Sequence, residues 1–219
     1  MKKTFITLFI VLAFYSIASA QHFYGPSSNN SILQKGDMEL GVGAGYGFSY
    51  VDYGDSYSSI IGAFNASVSA EYYFSEEWGL KLKVIYDQKG SHDGSLVDND
   101  GDEIDGLKAR FNYITIPVMV AWHFGMNQNW YQNIGPYVGF LNSAKIGGYD
   151  VKSDFNTVDG GLSEITGVKI PLKGKTSVFI ELEVQQGLVN IAKNNDYYSG
   201  NYYSENWIDR GSINVGLDF

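Results

Sequence analysis

The chain has 219 residues, no cysteine, and a formal net charge of -9 from 15 Lys and Arg against 24 Asp and Glu. The lack of cysteine excludes disulfide scaffolds, thiolate metal sites and thiol nucleophiles, and the acidic balance argues against nucleic acid as a partner. The 17 Tyr, 13 Phe and 26 Gly favour an all-β protein.

The N-terminus has the features of a secretory signal peptide. Two lysines precede an apolar stretch at 5–17, and Ala18-Ser19-Ala20 places small residues where a signal peptidase cleaves. The apolar stretch is shorter than the ~20 residues of a membrane-spanning helix. The sequence therefore predicts export, with residues 1–20 removed and cleavage before Gln21.

Residues 21–36 are polar and lack a sustained period, which predicts a flexible periplasmic lead-in. From residue 37 to residue 219, apolar and polar residues alternate, as in half-buried strands. The predicted strands are 37–50, 60–74, 78–89, 107–124, 134–146, 161–172, 176–191 and 211–219.

The connections between these strands alternate in length. Short segments follow the second, fourth and sixth strands, whereas longer polar segments follow the first, third, fifth and seventh. Bacterial outer-membrane barrels combine short periplasmic turns with long extracellular loops in this way. The sequence therefore predicts one domain at 37–219, an eight-stranded antiparallel up-and-down transmembrane β-barrel in the outer membrane.

The two faces of the strands predict which side meets lipid. In the strand at 107–124, Ile114, Ile116 and Val118 share one face, and Thr115 and His123 lie on the other. Apolar residues facing out and polar residues facing in are typical of a membrane barrel, whereas a secreted barrel of the lipocalin type has the opposite arrangement. The aromatic residues at the strand ends predict two interfacial girdles.

Charged residues on the inner face predict an ion network that fills the lumen, because an eight-stranded barrel has room only for side chains. For Lys81 and Lys83 we expect acidic partners on neighbouring strands, with Glu39 and Glu71 the candidates. The predicted network residues are Glu39, Glu71, Lys81, Lys83, Asp87, Glu181 and Glu183, and Asp218, Lys89 and Lys169 on the same face could join their pairs.

The segments 113–118 (YITIPV) and 135–139 (GPYVG), together with the terminal Phe219, resemble the PorT-like family of outer-membrane β-barrels. The resemblance extends over residues 37–219. It implies a barrel in the outer membrane, and for some members a role in protein secretion.

The acidic segment after the third predicted strand is the sharpest candidate site. Asp98, Asp100 and Asp102 resemble the start of a calcium-binding loop, but Gly101 is in the fourth position rather than the sixth, and no Glu occupies the twelfth. This pattern predicts weak Ca²⁺ binding, with a solvated acidic loop as the alternative. No other cofactor is expected.

The segment 195–203 is rich in Tyr, Asn, Ser and Gly, a composition typical of adaptable contact surfaces. The alternative is that its tyrosines extend the aromatic rim of the barrel. The three histidines lack metal-ligand spacing, and no nucleophile is placed beside a base, so no enzyme is expected.

The leading prediction is an integral outer-membrane barrel with a plugged lumen, displaying acidic and Tyr-rich loops for structural or interaction roles. The alternatives are a passive channel for small solutes and an accessory component of a protein-secretion machine. The expected partners are outer-membrane lipid and an envelope or extracellular protein. The sequence leaves the oligomeric state open.

Overall fold

A computed structural model of the chain describes residues 34–52, 58–97, 103–125, 127–172, 174–193 and 206–219. The predicted signal peptide, most of the lead-in, the calcium-binding candidates Asp98, Asp100 and Asp102, and the segment 195–203 lie outside these ranges. The strands are β1 (Met38–Asp52), β2 (Ile61–Tyr73), β3 (Trp78–Val97), β4 (Glu103–Phe124), β5 (Trp130–Ile146), β6 (Tyr149–Asp150), β7 (Val158–Pro171), β8 (Ser177–Gly187) and β9 (Trp207–Asp218).

Eight of these strands close into a ring. Each long strand pairs antiparallel with the next along the chain, β1 pairs with β9, and β4 pairs with β5. The two-residue β6 only extends the edge of β5 and is followed by a short 3-10 helix (Lys152–Asp154). The predicted eight-stranded antiparallel barrel is confirmed.

The strand boundaries differ from the prediction mainly at the end of the barrel that carries the long connections. Strand β3 continues to Val97 and β4 begins at Glu103, so the hairpin extends well beyond the predicted limits of 89 and 107. The register shifts between Ser91 and Leu96, where the alternation of apolar and polar residues is lost. Backbone pairing therefore continues beyond the apolar part of the strands, into a region where the sequence pattern does not predict a strand.

The outer face of the barrel is apolar, as predicted. Val118 and Leu182 are 41% and 42% exposed, whereas Lys83 and Glu181 on the opposite faces are each 2% exposed. On β4 the outward apolar residues extend from Ile114 to Phe124. At ~3.3 Å per residue and a tilt of ~40° they form a band about 25 Å tall, which matches the apolar band of outer-membrane barrels.

Aromatic side chains lie at both edges of this band. At the end with the short turns, the rings of Trp78 and Trp122 stack 6.1 Å apart, and Trp122 also contacts Phe124. At the opposite edge, Tyr86, Ile114 and Phe140 form one row across β3, β4 and β5. Among the described residues, no helix has the length and apolar character needed to cross a membrane.

Apolar side chains form two clusters on the inner face. One cluster lies at the end with the long connections, where Phe155 packs edge-on against Phe111 at 4.7 Å. Close to the other end, Met119, Tyr131 and Ile165 form a second buried cluster. The charged residues of the inner face lie between and around these two clusters.

Candidate functional site

The centre of the barrel interior holds an ion pair that crosses the lumen. Lys83 on β3 contacts Glu181 and Glu183 on β8, with its Nζ 2.9 Å from the Oε2 of Glu183. In the closed ring, β3 and β8 lie diametrically opposite each other. The Arg210 guanidinium lies 2.6 Å from the other Glu183 oxygen, and the amide of Asn214 donates to both glutamates.

A second group of charges lies toward the end with the long connections. Asp87 is 2.9 Å from the Nε of Arg210 and accepts a hydrogen bond from the Thr115 hydroxyl, so it links this group to the centre. Lys89 is 3.0 Å from Asp159, which also accepts a hydrogen bond from the Tyr137 hydroxyl. These contacts connect β3, β4, β5, β7 and β9 across the lumen.

A third group lies toward the end with the short turns. Glu71 is 2.6 Å from the His123 imidazole, 3.4 Å from the Lys81 ammonium and 3.8 Å from the Lys169 ammonium. Lys169, on β7, also pairs with Glu39 on β1, and its ammonium is 3.5 Å from Asp218 on β9. The Tyr73 hydroxyl donates to Glu39 at 2.8 Å.

Every Lys or Arg in these three groups has a carboxylate within salt-bridge distance. Buried charges are costly to desolvate unless an opposite charge lies beside them, and each of these cations has such a partner. The paired residues are the cations Lys81, Lys83, Lys89, Lys169 and Arg210, and the carboxylates Glu39, Glu71, Asp87, Asp159, Glu181, Glu183 and Asp218. We call this set the lumen network.

The sequence-predicted network residues all face the interior, but one predicted pairing is wrong. Lys81 lies beside Glu71, its partner on the adjacent strand, as expected from the register. Lys83 contacts neither Glu39 nor Glu71, because its side chain extends across the lumen rather than along the wall. Glu39 contacts Lys169 instead.

Two members of the network were missed from the sequence. Arg210 precedes the predicted last strand at 211–219, and Asp159 falls in a segment predicted to be a loop. Arg210 has the same alternation phase as Ser212 and Asn214, so extending the last strand by one alternation step would have placed it inside. Asp159 has the same alternation phase as Ser163 and Ile165, so extending the strand predicted at 161–172 by one step would have placed it inside as well.

The interior contains no arrangement that suggests a metal centre in the described part of the chain. No group of three or more His, Asp or Glu side chains there is placed to hold a metal ion. The three aspartates predicted to bind Ca²⁺ lie outside the described residues, so that site remains a prediction.

The family model for the outer membrane protein beta-barrel domain matches residues 20–193. No curated protein matches this chain. Similar solved structures include OprG from Pseudomonas aeruginosa, with 10% identity, a TM-score of 0.50, and coverage of 86% of this chain and 98% of that chain.

Two further solved structures are similar to this chain. Neisserial surface protein A has 13% identity, a TM-score of 0.48, and coverage of 82% of this chain and 95% of that chain. Ail of Yersinia pestis, in complex with the heparin analogue sucrose octasulfate, has 14% identity, a TM-score of 0.44, and coverage of 84% of this chain and 99% of that chain. Identities this low show a common fold alone.

Proposed function

Because this chain belongs to the outer membrane protein beta-barrel domain family and is located in the outer membrane, we propose that it is a closed, non-conducting barrel. Its role on this proposal is structural or interaction-based: a rigid barrel that displays its loops outside the cell. It has no enzymatic activity. The PorT-like resemblance is finer than the family match and remains a prediction.

The observation that carries the proposal is the bridge from Lys83 to Glu181 and Glu183 across the full width of the lumen. A solute moving along the barrel axis would have to break this bridge. The Lys169–Glu71 contact, which also joins opposite strands, would be a second obstacle. Eight-stranded barrels are just wide enough for side chains to fill them, so little space is left around such bridges.

The apolar packing near the end with the long connections supports the same conclusion. Phe111, on β4, belongs to a cluster of buried side chains that spans several strands, and the partly buried Phe155, after the 3-10 helix, packs against it. These side chains border a cavity of about 280 Å³ whose lining also includes the polar residues Ser91, Asp93 and Asn206. The apolar packing therefore narrows the lumen at this level without filling it.

Single-channel recording in planar lipid bilayers tests the closed lumen. We expect no conductance steps from the folded protein, in membranes where a general porin inserted as a control does give steps. Discrete steps from the wild-type protein would overturn the proposal and favour the passive solute channel.

The interaction role depends on the loops and needs a separate test. Replacing 195–203 by a Gly/Ser segment of equal length removes the tyrosines without touching any barrel strand. Cross-linking in intact cells should then lose protein adducts that the wild-type chain forms. Unchanged adducts would exclude this loop as the contact surface, and adducts with secretion components would favour the accessory secretion role.

A further inference from the structure

Three cations form a cluster on the outside of the barrel. Lys108 and Arg110 lie two residues apart on β4, and Lys145 on β5 is the register partner of Arg110. All three are exposed and line a cavity of about 500 Å³ that also includes Asn112 and Ser143. We call Lys108, Arg110 and Lys145 the basic cluster.

The basic cluster lies directly above the edge of the apolar band. The last apolar row consists of Tyr86, Ile114 and Phe140, which pair across β3, β4 and β5. The next outward position on β4 is Asn112, and Arg110 and Lys108 follow it. Arg110 is thus two alternation steps beyond the row and Lys108 three, where long cationic side chains can reach lipid headgroups.

This edge of the band belongs to the extracellular side. The cluster is on the half of β4 that leads to the long connections, opposite the short turn after Phe124. In bacterial outer-membrane barrels the long connections face outward from the cell. The headgroups beside the cluster are therefore those of the outer leaflet.

The charge pattern also distinguishes the basic cluster from the rest of the barrel. Each cation of the lumen network has a carboxylate partner, whereas no described carboxylate forms an ion pair with any member of the basic cluster. Among the described residues, the hydrogen bond that Arg110 makes is a long one to a backbone carbonyl, with its Nη1 3.5 Å from the oxygen of Gly62. Asp150 is opposite Lys145 in the register, but its carboxylate accepts a hydrogen bond from the Lys152 backbone N–H at 3.0 Å. The three cations therefore outnumber the acidic groups around them, which is unfavourable unless a ligand supplies more negative charge.

The polar neighbours of the cluster suit an oxygen-rich anion. The Ser143 hydroxyl accepts a hydrogen bond from the Asn112 amide at 2.8 Å, and can donate its own proton into the cavity. An Arg guanidinium binds phosphate through two parallel hydrogen bonds, and Lys adds a mobile point charge. Basic pockets between membrane elements recognise lipid phosphates in this way.

We propose that the basic cluster binds the phosphate groups of a phosphorylated lipid in the outer leaflet. The apolar rows below it contact the acyl chains, while Lys108, Arg110 and Lys145 hold the headgroup. This site would fix the height and rotation of the barrel in the membrane. It does not depend on whether the lumen conducts.

The test is a binding titration of the folded, detergent-solubilised full chain with fluorescent diphosphoryl lipid A, followed by anisotropy. Diacylglycerol serves as a phosphate-free amphiphile, and inorganic phosphate in large molar excess serves as a soluble competitor. The test variant is Lys108→Gln with Arg110→Gln and Lys145→Gln. The matched control is Lys35→Gln with Lys175→Gln and Lys193→Gln, which removes the same charge from other exposed positions of the described surface.

We expect the test variant to bind the lipid roughly a hundredfold more weakly, because each Lys or Arg beside an anionic surface contributes a factor of about five. The control variant should bind like the wild type. Equal binding by the test variant, or equal binding of diacylglycerol, would overturn the proposal. Full displacement of the lipid by inorganic phosphate would show that the cluster binds a soluble phosphate, and would refute the proposal that its ligand is a lipid.

Both variants must be folded for the comparison. The substituted side chains are on the surface, and none belongs to the lumen network, so barrel formation should be unaffected. Electrophoresis in SDS without heating checks that each variant is folded, because the folded barrel resists SDS and keeps its own band. If the triple variant loses both lipid binding and the folded band, the single variant Lys145→Gln is tested instead. For this variant we expect about a fivefold weaker affinity for the lipid.

Discussion

Removing the Lys83 ammonium should destabilise the barrel strongly, because it leaves charge unpaired in the middle of the lumen. Lys83 is 2% exposed and is the only cation placed beside Glu181 among the described residues. Glu183 keeps its contact with Arg210 at 2.6 Å. Breaking a buried ion pair by removing one partner costs about 3–5 kcal/mol, so we expect Lys83→Met to lower the free energy of unfolding by about that amount.

The cost should depend on which carboxylate remains charged. In the Lys83→Met background, Glu181→Gln removes the unpaired charge and should restore part of the loss, whereas Glu183→Gln should restore less because Arg210 already neutralises Glu183. Residues in one ion network show coupling energies of about 0.5–3 kcal/mol in double-mutant cycles. We expect the Lys83–Glu181 coupling to lie in the upper half of that range.

The measurement is reversible unfolding in urea with the protein folded into lipid vesicles, followed by the fluorescence of its four tryptophans. Leu82→Met, at the neighbouring lipid-facing position, is the matched control and should cost less than about 1.5 kcal/mol. A loss below about 1 kcal/mol for Lys83→Met, with no coupling to either glutamate, would refute the bridge across the lumen.

The remaining predictions concern the outer wall, the packing of the inner wall and the acidic loop. Val118→Arg should cost about 2–4 kcal/mol in the same assay, because a charge on the lipid face near the bilayer midplane is poorly solvated. Gly43→Ala should cost about 1–3 kcal/mol, since a Cβ there would lie 2.6 Å from the Phe179 ring, and Phe179→Leu should recover part of it. Calorimetry should detect Ca²⁺ binding with a dissociation constant of about 10⁻⁴–10⁻³ M, abolished by Asp100→Asn with Asp102→Asn.

Each of these predictions has a control variant or a result that would contradict it. Thr115→Ser, on the inner face of the strand that carries Val118, should change stability little. Gly139→Ala should be milder than Gly43→Ala, because its nearest contact would be an ordinary 3.4 Å. Equal heats for the wild type and the double Asn variant would leave only a solvated acidic loop, and a neutral Val118→Arg would contradict the assigned lipid face.

Period-two alternation and the pattern of short and long connections were sufficient to predict the barrel, its eight strands and its two faces from the sequence. Both signals are local: a residue's face follows from its neighbours two positions away, and connection length follows from where alternation stops. Glu71 and Lys81 could be paired in the same way, because a hairpin of adjacent strands brings them together.

Contacts across the lumen could be identified only from the tertiary structure. Lys83 and Glu181 are far apart in the sequence, and they meet only because ring closure places β3 opposite β8. Arg110 and Lys145 become neighbours only through the register of β4 and β5, which contains a bulge after Asn112. Alternation determines whether a side chain faces inward or outward. Which charges meet depends on the closure and register of the whole ring, and no local pattern encodes these.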